Sequence, residues 1–173
     1  IYDRANSSMC HLRLDEIDPK IYAQTKIFHI SSISLAIDKN LREVAIEMIK
    51  RFKEQGTLIS FDVNYRAALW SEEEARGVIE SIFPYIDLLF VSEETSRRML
   101  QRTGTLEEIM KGYTTKYGCK MVATTRREVI SPTHHNFSSK IYYDGNFYEE
   151  APYNNIEVID RIGSGDAYLA GVL

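Results

Sequence analysis

The sequence is poor in cysteine. Its 173 residues hold only Cys10 and Cys119, far apart. A disulfide framework is not supported, and no Cys or His stands at metal-ligand spacing. No apolar run approaches the ~20 residues needed to span a bilayer, which predicts no membrane association. The opening Ile1-Tyr2-Asp3-Arg4 lacks the charged-then-apolar pattern of a secretory signal. An excess of basic residues is also missing. Lys and Arg number 21 against 25 Asp and Glu, a formal charge of −4. That balance argues against nucleic acid as a partner. What remains is ordinary: 44% hydrophobic and 27% charged residues, as in a globular protein with a real core. These features predict a cytoplasmic protein with reduced thiols. The chain starts at Ile1 without Met and stops at Leu173, a few residues into an apolar helix. It reads as one domain over 1–173, incomplete at both ends.

Residues 26–30 alternate and are rich in β-formers, so a strand is expected there. Leu41, Val44, Ala45, Met48, Ile49 and Phe52 recur at helical spacing before the stop signal Gly56. Residues 57–63 and 86–91 read as buried strands, and 119–125 as another. Ser71 with Glu74, and Thr105 with Glu108, have the capping-box spacing that opens a helix. Helices are expected after each box and over 95–102. Lys140-Ile141-Tyr142-Tyr143 and Phe147-Tyr148 flank Asp144-Gly145-Asn146, a hairpin signal. One more strand is expected at 156–159. Strands alternating with amphipathic helices predict an α/β fold with a mainly parallel central sheet and a late antiparallel hairpin. Ligands of such sheets collect outside the carboxyl ends of the strands.

Three segments carry candidate chemistry. The first is Asp160-Arg161-Ile162-Gly163-Ser164-Gly165-Asp166, running into an apolar helix. Glycines let a ligand approach the main chain, and helix N-terminal amides favour an anion. A Gly-rich turn with Asp166 as a cap would look the same. The second is Asp62-Val63-Asn64-Tyr65-Arg66, with Leu69-Trp70 behind it, at the end of a buried strand. Asp62, Asn64 and Arg66 stand at period two and so share a face. The third is Tyr2-Asp3-Arg4, where arginine suits a carboxylate or phosphate; a frayed terminal strand is the plainer reading. His134-His135 read as an exposed loop, and His29 as a satisfied core or edge residue.

In order along the chain, these segments resemble the ribokinase-like (phosphofructokinase-B type) sugar kinase family. Asp160 to Asp166 is similar to its D-T-x-G-A-G-D pattern. Asp62-Val63-Asn64-Tyr65-Arg66 with Leu69-Trp70, Tyr2-Asp3-Arg4 and His29-Ile30-Ser31-Ser32-Ile33 are similar to segments of its 2-keto-3-deoxygluconate kinase members. The resemblance implies a three-layer sandwich and ATP-dependent phosphorylation of a sugar-acid hydroxyl, with Mg²⁺ carried mainly on the ATP phosphates. It implies that Asp166 is the catalytic base and that the amides of Gly163, Ser164 and Gly165 form an anion hole. Tyr2, Arg4, Ile33, Asn64 and Arg66 would contact the sugar acid, and Thr124 the nucleotide. No metal ligand is assigned. Ser92-Glu93-Glu94-Thr95 departs from the family's N-x-x-E, and Thr124-Thr125-Arg126-Arg127 lacks its glycine.

The expected partner is therefore a small-molecule sugar acid, and homo-oligomerisation is left open. The rival is a non-catalytic sugar- or nucleotide-binding module of kinase-like fold, favoured by the altered Ser92–Thr95 segment and opposed by Asp166. The chain on its own is expected to lack kinase activity, because the helix after Asp166 is short and depends on packing partners.

Overall fold

A computed structural model describes residues 7–160 and 162–173. After two short 3-10 turns come α1 (Lys20–Gln24), β1 (Ile27–Ser31), α2 (Ser32–Ala36) and α3 (Lys39–Glu54). β2 (Leu58–Asp62), α4 (Glu72–Ile82), β3 (Leu88–Phe90), α5 (Glu93–Arg98) and α6 (Leu106–Tyr117) follow. The chain then makes β4 (Met121–Ser131), β5 (His134–Tyr143), β6 (Asn146–Glu149), β7 (Tyr153–Glu157) and α7 (Ser164–Val172). The sheet order is β1-β2-β3-β4-β5-β6, with β7 also on β5. The first four strands are parallel, and the pairings of β5 are antiparallel. Among the described residues no helix is long and apolar enough to cross a membrane.

Local signals account for the element starts. Asp38 caps α3 by accepting from the Asn40 and Leu41 amides. Thr105 and Glu108 form a reciprocal capping box on α6. The Ser71 box is only half made. Ser71 Oγ accepts from Glu74 N, but the Glu74 carboxylate lies 2.8 Å from Arg42 on α3. A long-range ion pair has taken the side chain that the local motif would use. Asp144 and Gly145 turn the predicted hairpin with φ of 48° and 77°.

Because side chains alternate across a strand, the register sorts residues onto two faces. Ile59, Phe61, Leu89 and Val122 share one face. They are fully buried beneath Ile49 and Phe52 of α3, Ile79 and Ile82 of α4, and Ile109 and Tyr113 of α6. His29, Ser31, Asp62, Phe90, Ala123 and Thr125 lie on the other face. There α7 covers a small cluster of Phe90, Met121 and Ala123 with Leu169.

Asp87 locks the amino-terminal edge of the first face. Its carboxylate accepts from the Ile59 amide at 3.0 Å and pairs with Lys53 at 2.5 Å and Lys120 at 3.1 Å. Burial alone would raise its pKa. The Ile59 amide and the two ammonium groups outweigh burial and hold it below the usual carboxylate range.

Two expectations needed correction. The strand expected over 119–125 runs instead as β4 to Ser131, and it returns through the two-residue turn Pro132-Thr133 into β5. His134 and His135 therefore open β5, where His135 is buried, rather than lying in an exposed loop. The turn around Pro132 does form, but it is only two residues wide, and backbone pairing of β4 with β5 draws the polar residues on either side of it into strands. The strand expected at 156–159 is displaced to β7, leaving Ile159 95% exposed.

Candidate active site

Strand ends and one helix start surround a broad cleft on the thinly covered face. Its volume is about 2410 Å³, larger than the 300–1,000 Å³ of an ordinary single-ligand pocket. Ile33, Asp62, Asn64, Arg66, Gly163, Ser164, Gly165 and Asp166 all line it. The cleft thus gathers two segments that lie about a hundred residues apart in sequence.

The loop carrying Asn64 and Arg66 is pinned from below. The Val63 amide donates to Phe90 O at 2.9 Å, extending the β2–β3 pairing past Asp62. Tyr65 donates its hydroxyl to Trp70 O at 3.2 Å. Trp70 is buried in the main core and stacks under the Arg42 guanidinium. The apolar Leu69-Trp70 pair thereby anchors a polar loop. Ile33 reaches the cleft because α2 begins directly after β1, with Ser31 Oγ accepting from the Ile33 amide.

Gly163 starts α7 with φ of 75°, a left-handed conformation that glycine adopts without penalty. The first helical bond is Ala167 N to Gly163 O at 2.8 Å. The amides of Gly163, Ser164, Gly165 and Asp166 precede it and have no partner within the helix. No side chain caps this end. The helix is seated by Leu169 and by Tyr168, whose ring meets Phe90 and Phe137 edge-on at 6.4 and 6.1 Å.

Asp62 is the perturbed acid of the cleft. Burial pushes its carboxyl up to about 6, the Asp166 charge adds to this, and Arg66 opposes it. His29 Nδ1 lies 2.9 Å from Ser60 Oγ on the neighbouring strand. Burial lowers its pKa and the Asp166 charge partly offsets that. His29 and Ser31 also line the cleft. The sequence marks His29 as a satisfied core or edge residue, and the register with Ser60 is what turns it toward the site.

Not every candidate converges. Tyr2 and Arg4 lie outside the described residues. Thr124 sits inside β4 rather than after it, and it projects from the other face of the sheet. It is buried beside a separate cavity of about 240 Å³, with Arg126, Ser138 and Lys140. Its neighbour Thr125 lines the main cleft instead. In the altered segment, Ser92 Oγ accepts from Thr95 N at 3.1 Å and donates to Thr95 Oγ1 at 2.8 Å. Both hydroxyls are thus engaged in capping α5. Among the described residues no group of three His, Cys, Asp or Glu is placed to hold a metal ion.

Comparison with known proteins identifies the architecture. A 2-dehydro-3-deoxygalactonokinase of Haloferax volcanii is 32% identical over 173 residues, 100% of this chain and 52% of that protein. Fructokinase-1 of Zea mays is 29% identical over 163 residues, covering 94% and 47% of the two chains. The crystal structure of a 2-dehydro-3-deoxygluconokinase from Thermotoga maritima superposes with a TM-score of 0.91 at 32% identity. That match covers 99% of this chain and 54% of the other. The chain spans about half the length of these relatives. The pfkB family carbohydrate kinase pattern itself runs through residues 1–173 without remainder, and the chain belongs to that family.

Proposed function

We propose that the protein phosphorylates a hydroxyl of a 2-keto-3-deoxy sugar acid, with ATP as the phosphoryl donor. The observation that carries this reading is the uncapped start of α7, with Asp166 in its first turn, lining the same cleft as Asn64 and Arg66. In the reaction, Asp166 accepts the proton of the sugar hydroxyl. The hydroxyl oxygen bonds to the γ-phosphorus, and the bond from that phosphorus to ADP breaks. The amides of Gly163, Ser164 and Gly165 meet the charge that develops on the phosphoryl oxygens. Arg66 pairs with the carboxylate of the sugar acid, and Asn64 and Ile33 fix the sugar beside it. Tyr2 and Arg4 are proposed as further sugar contacts on the strength of the family resemblance. Thr124, set on the opposite face, is the weakest of the proposed contacts. Mg²⁺ is proposed to ride on the ATP phosphates, where it would neutralise phosphate charge.

Fructokinases are also among the relatives, so the acid must be tested against a neutral ketose. A coupled assay of the full-length protein with Mg-ATP, 2-keto-3-deoxygluconate, 2-keto-3-deoxygalactonate and fructose separates the readings. Preferential turnover of the acids is expected. Equal or better turnover of fructose removes the role given to Arg66, and no turnover at all leaves a binding module.

A further inference from the structure

The ends of β1 and β2 bring together four polar side chains that the scheme above leaves out. The strands run parallel, with His29 opposite Ser60 and Ser31 opposite Asp62. Side chains two residues apart share a face, so the four form one polar patch on the open side of the sheet. Three of them have evident roles or chemistry. Ser60 is fully buried, and its Oγ lies 2.9 Å from His29 Nδ1. Ser31 Oγ accepts from the Ile33 amide at the start of α2. Asp62 presents a carboxyl to the cleft. His29 stands apart, because its ring lines the cleft and is exposed there. With Nδ1 committed to Ser60, Nε2 is the polar atom left for the cleft, and it has no partner among the described residues.

A neutral imidazole carries its proton on Nδ1 or on Nε2, and the bond to Ser60 decides which. Among the described residues, His29 is the one hydrogen-bond partner of Ser60 Oγ. Were Nδ1 the donor, the Ser60 hydroxyl proton would be sealed against the sheet without an acceptor, a costly arrangement. Ser60 therefore donates to Nδ1, and the ring proton sits on Nε2. Burial already lowers the pKa of His29, against the Asp166 charge. Protonating Nδ1 would also strand the Ser60 proton, so the ring stays neutral.

We propose that His29 is a specificity-determining residue: its Nε2–H donates a hydrogen bond to a carbonyl or hydroxyl oxygen of the sugar in the cleft. Ser60 is the positioning residue that fixes the tautomer and the ring plane. The proposal rests on the reading that this cleft takes a sugar. A neutral N–H held in place by Ser60 suits an uncharged oxygen, since little ordering is left to be done when the ligand arrives. The guanidinium of Arg66 suits a carboxylate instead. The two donors thus divide a sugar acid between them, its charge to the loop and an uncharged oxygen to the end of β1.

The test uses the full-length protein labelled with nitrogen-15. Long-range proton–nitrogen correlation NMR reads the tautomer of each histidine, and His29→Gln identifies the His29 signal. The ring is expected in the Nε2–H form, and its Nε2 signal is expected to move on saturation with 2-keto-3-deoxygluconate. An Nδ1–H ring overturns the proposal. So does a His29 signal that moves with none of 2-keto-3-deoxygluconate, 2-keto-3-deoxygalactonate and fructose. A signal that moves with fructose and with neither acid supports the donor and defeats the sugar-acid reading instead. In the coupled assay, His29→Phe should raise KM for the sugar roughly three- to tenfold, the worth of one neutral hydrogen bond, and leave KM for Mg-ATP unchanged. His29→Gln returns an N–H near the place of Nε2 and should recover most of the loss. An unchanged sugar KM in His29→Phe, or an equal rise in both KM values, overturns the assignment. Should His29→Phe fail to fold, the tautomer and the sugar titration of the wild type still decide.

Discussion

The two faces of the sheet differ in how they are covered. One is sealed by α3, α4 and α6, with Phe61, Ile59, Leu89 and Val122 fully buried beneath them. The other carries, among the described residues, α7 over a patch of Phe90, Met121, Ala123 and Leu169. Beside α7, Ile162 is 79% exposed. The sealed face consists almost wholly of apolar contacts and supplies stability. The cleft on the open face is lined by every described sugar-site and anion-hole candidate, while Thr124, the nucleotide candidate, lies on the sealed side. The same strands serve both ends, because alternate residues of β2 and β3 point to opposite sides.

The comparison is broken most sharply by Asp166→Asn on the open face. Loss of a general base costs on the order of 10²–10⁴ in rate, so kcat in the coupled assay should fall by that factor. The melting temperature should stay put, since Asp166 is exposed. On the sealed face the pattern reverses. Phe61→Ala should cost about 3–5 kcal/mol of unfolding free energy in denaturant titration, because a fully buried ring leaves a cavity.

Asp87→Ala should cost about 2–3 kcal/mol. That is less than for a fully buried ion pair, because Lys53 and Lys120 are partly exposed and rehydrate. The pH dependence follows from the depressed carboxyl of Asp87. Its contribution is complete above the unfolded value of about 3.9 and is lost as pH falls through the lower folded value. Acid unfolding of the wild type and Asp87→Ala should therefore converge below pH ~4. The smallest effect is expected from Leu169→Ala, about 2 kcal/mol at the low end for leucine truncations. The contact is small, and its loss should appear first as faster amide exchange in α7 while β2 and β3 stay protected.

Much of this architecture was legible in the residues themselves. The Thr105–Glu108 box, the Asp144-Gly145 turn and the glycine start of α7 are local arrangements, decided by neighbours within a few positions. The alternation of strands and helices announced the α/β class for the same reason. The motifs around Asp62 and Asp166 were visible as segments, and their order along the chain pointed to the kinase family.

Other features depended on distant partners. Glu74 left its capping box because Arg42, far off in sequence, offers an ion pair. His135 became a buried strand residue because β4 continues opposite it. Thr124 and Thr125 are neighbours of identical chemistry, yet the register of β4 against β3 sends one to each face. A shift of one residue would have exchanged them. The sequence by itself determined which local turns, caps and helices form, since those rest on hydrogen bonds and torsions a few residues wide. Which side of the sheet each polar group faces, and that Asp62 and Asp166 share one cleft, were decided only by strand order and register, because those are set by burial summed over the whole sheet.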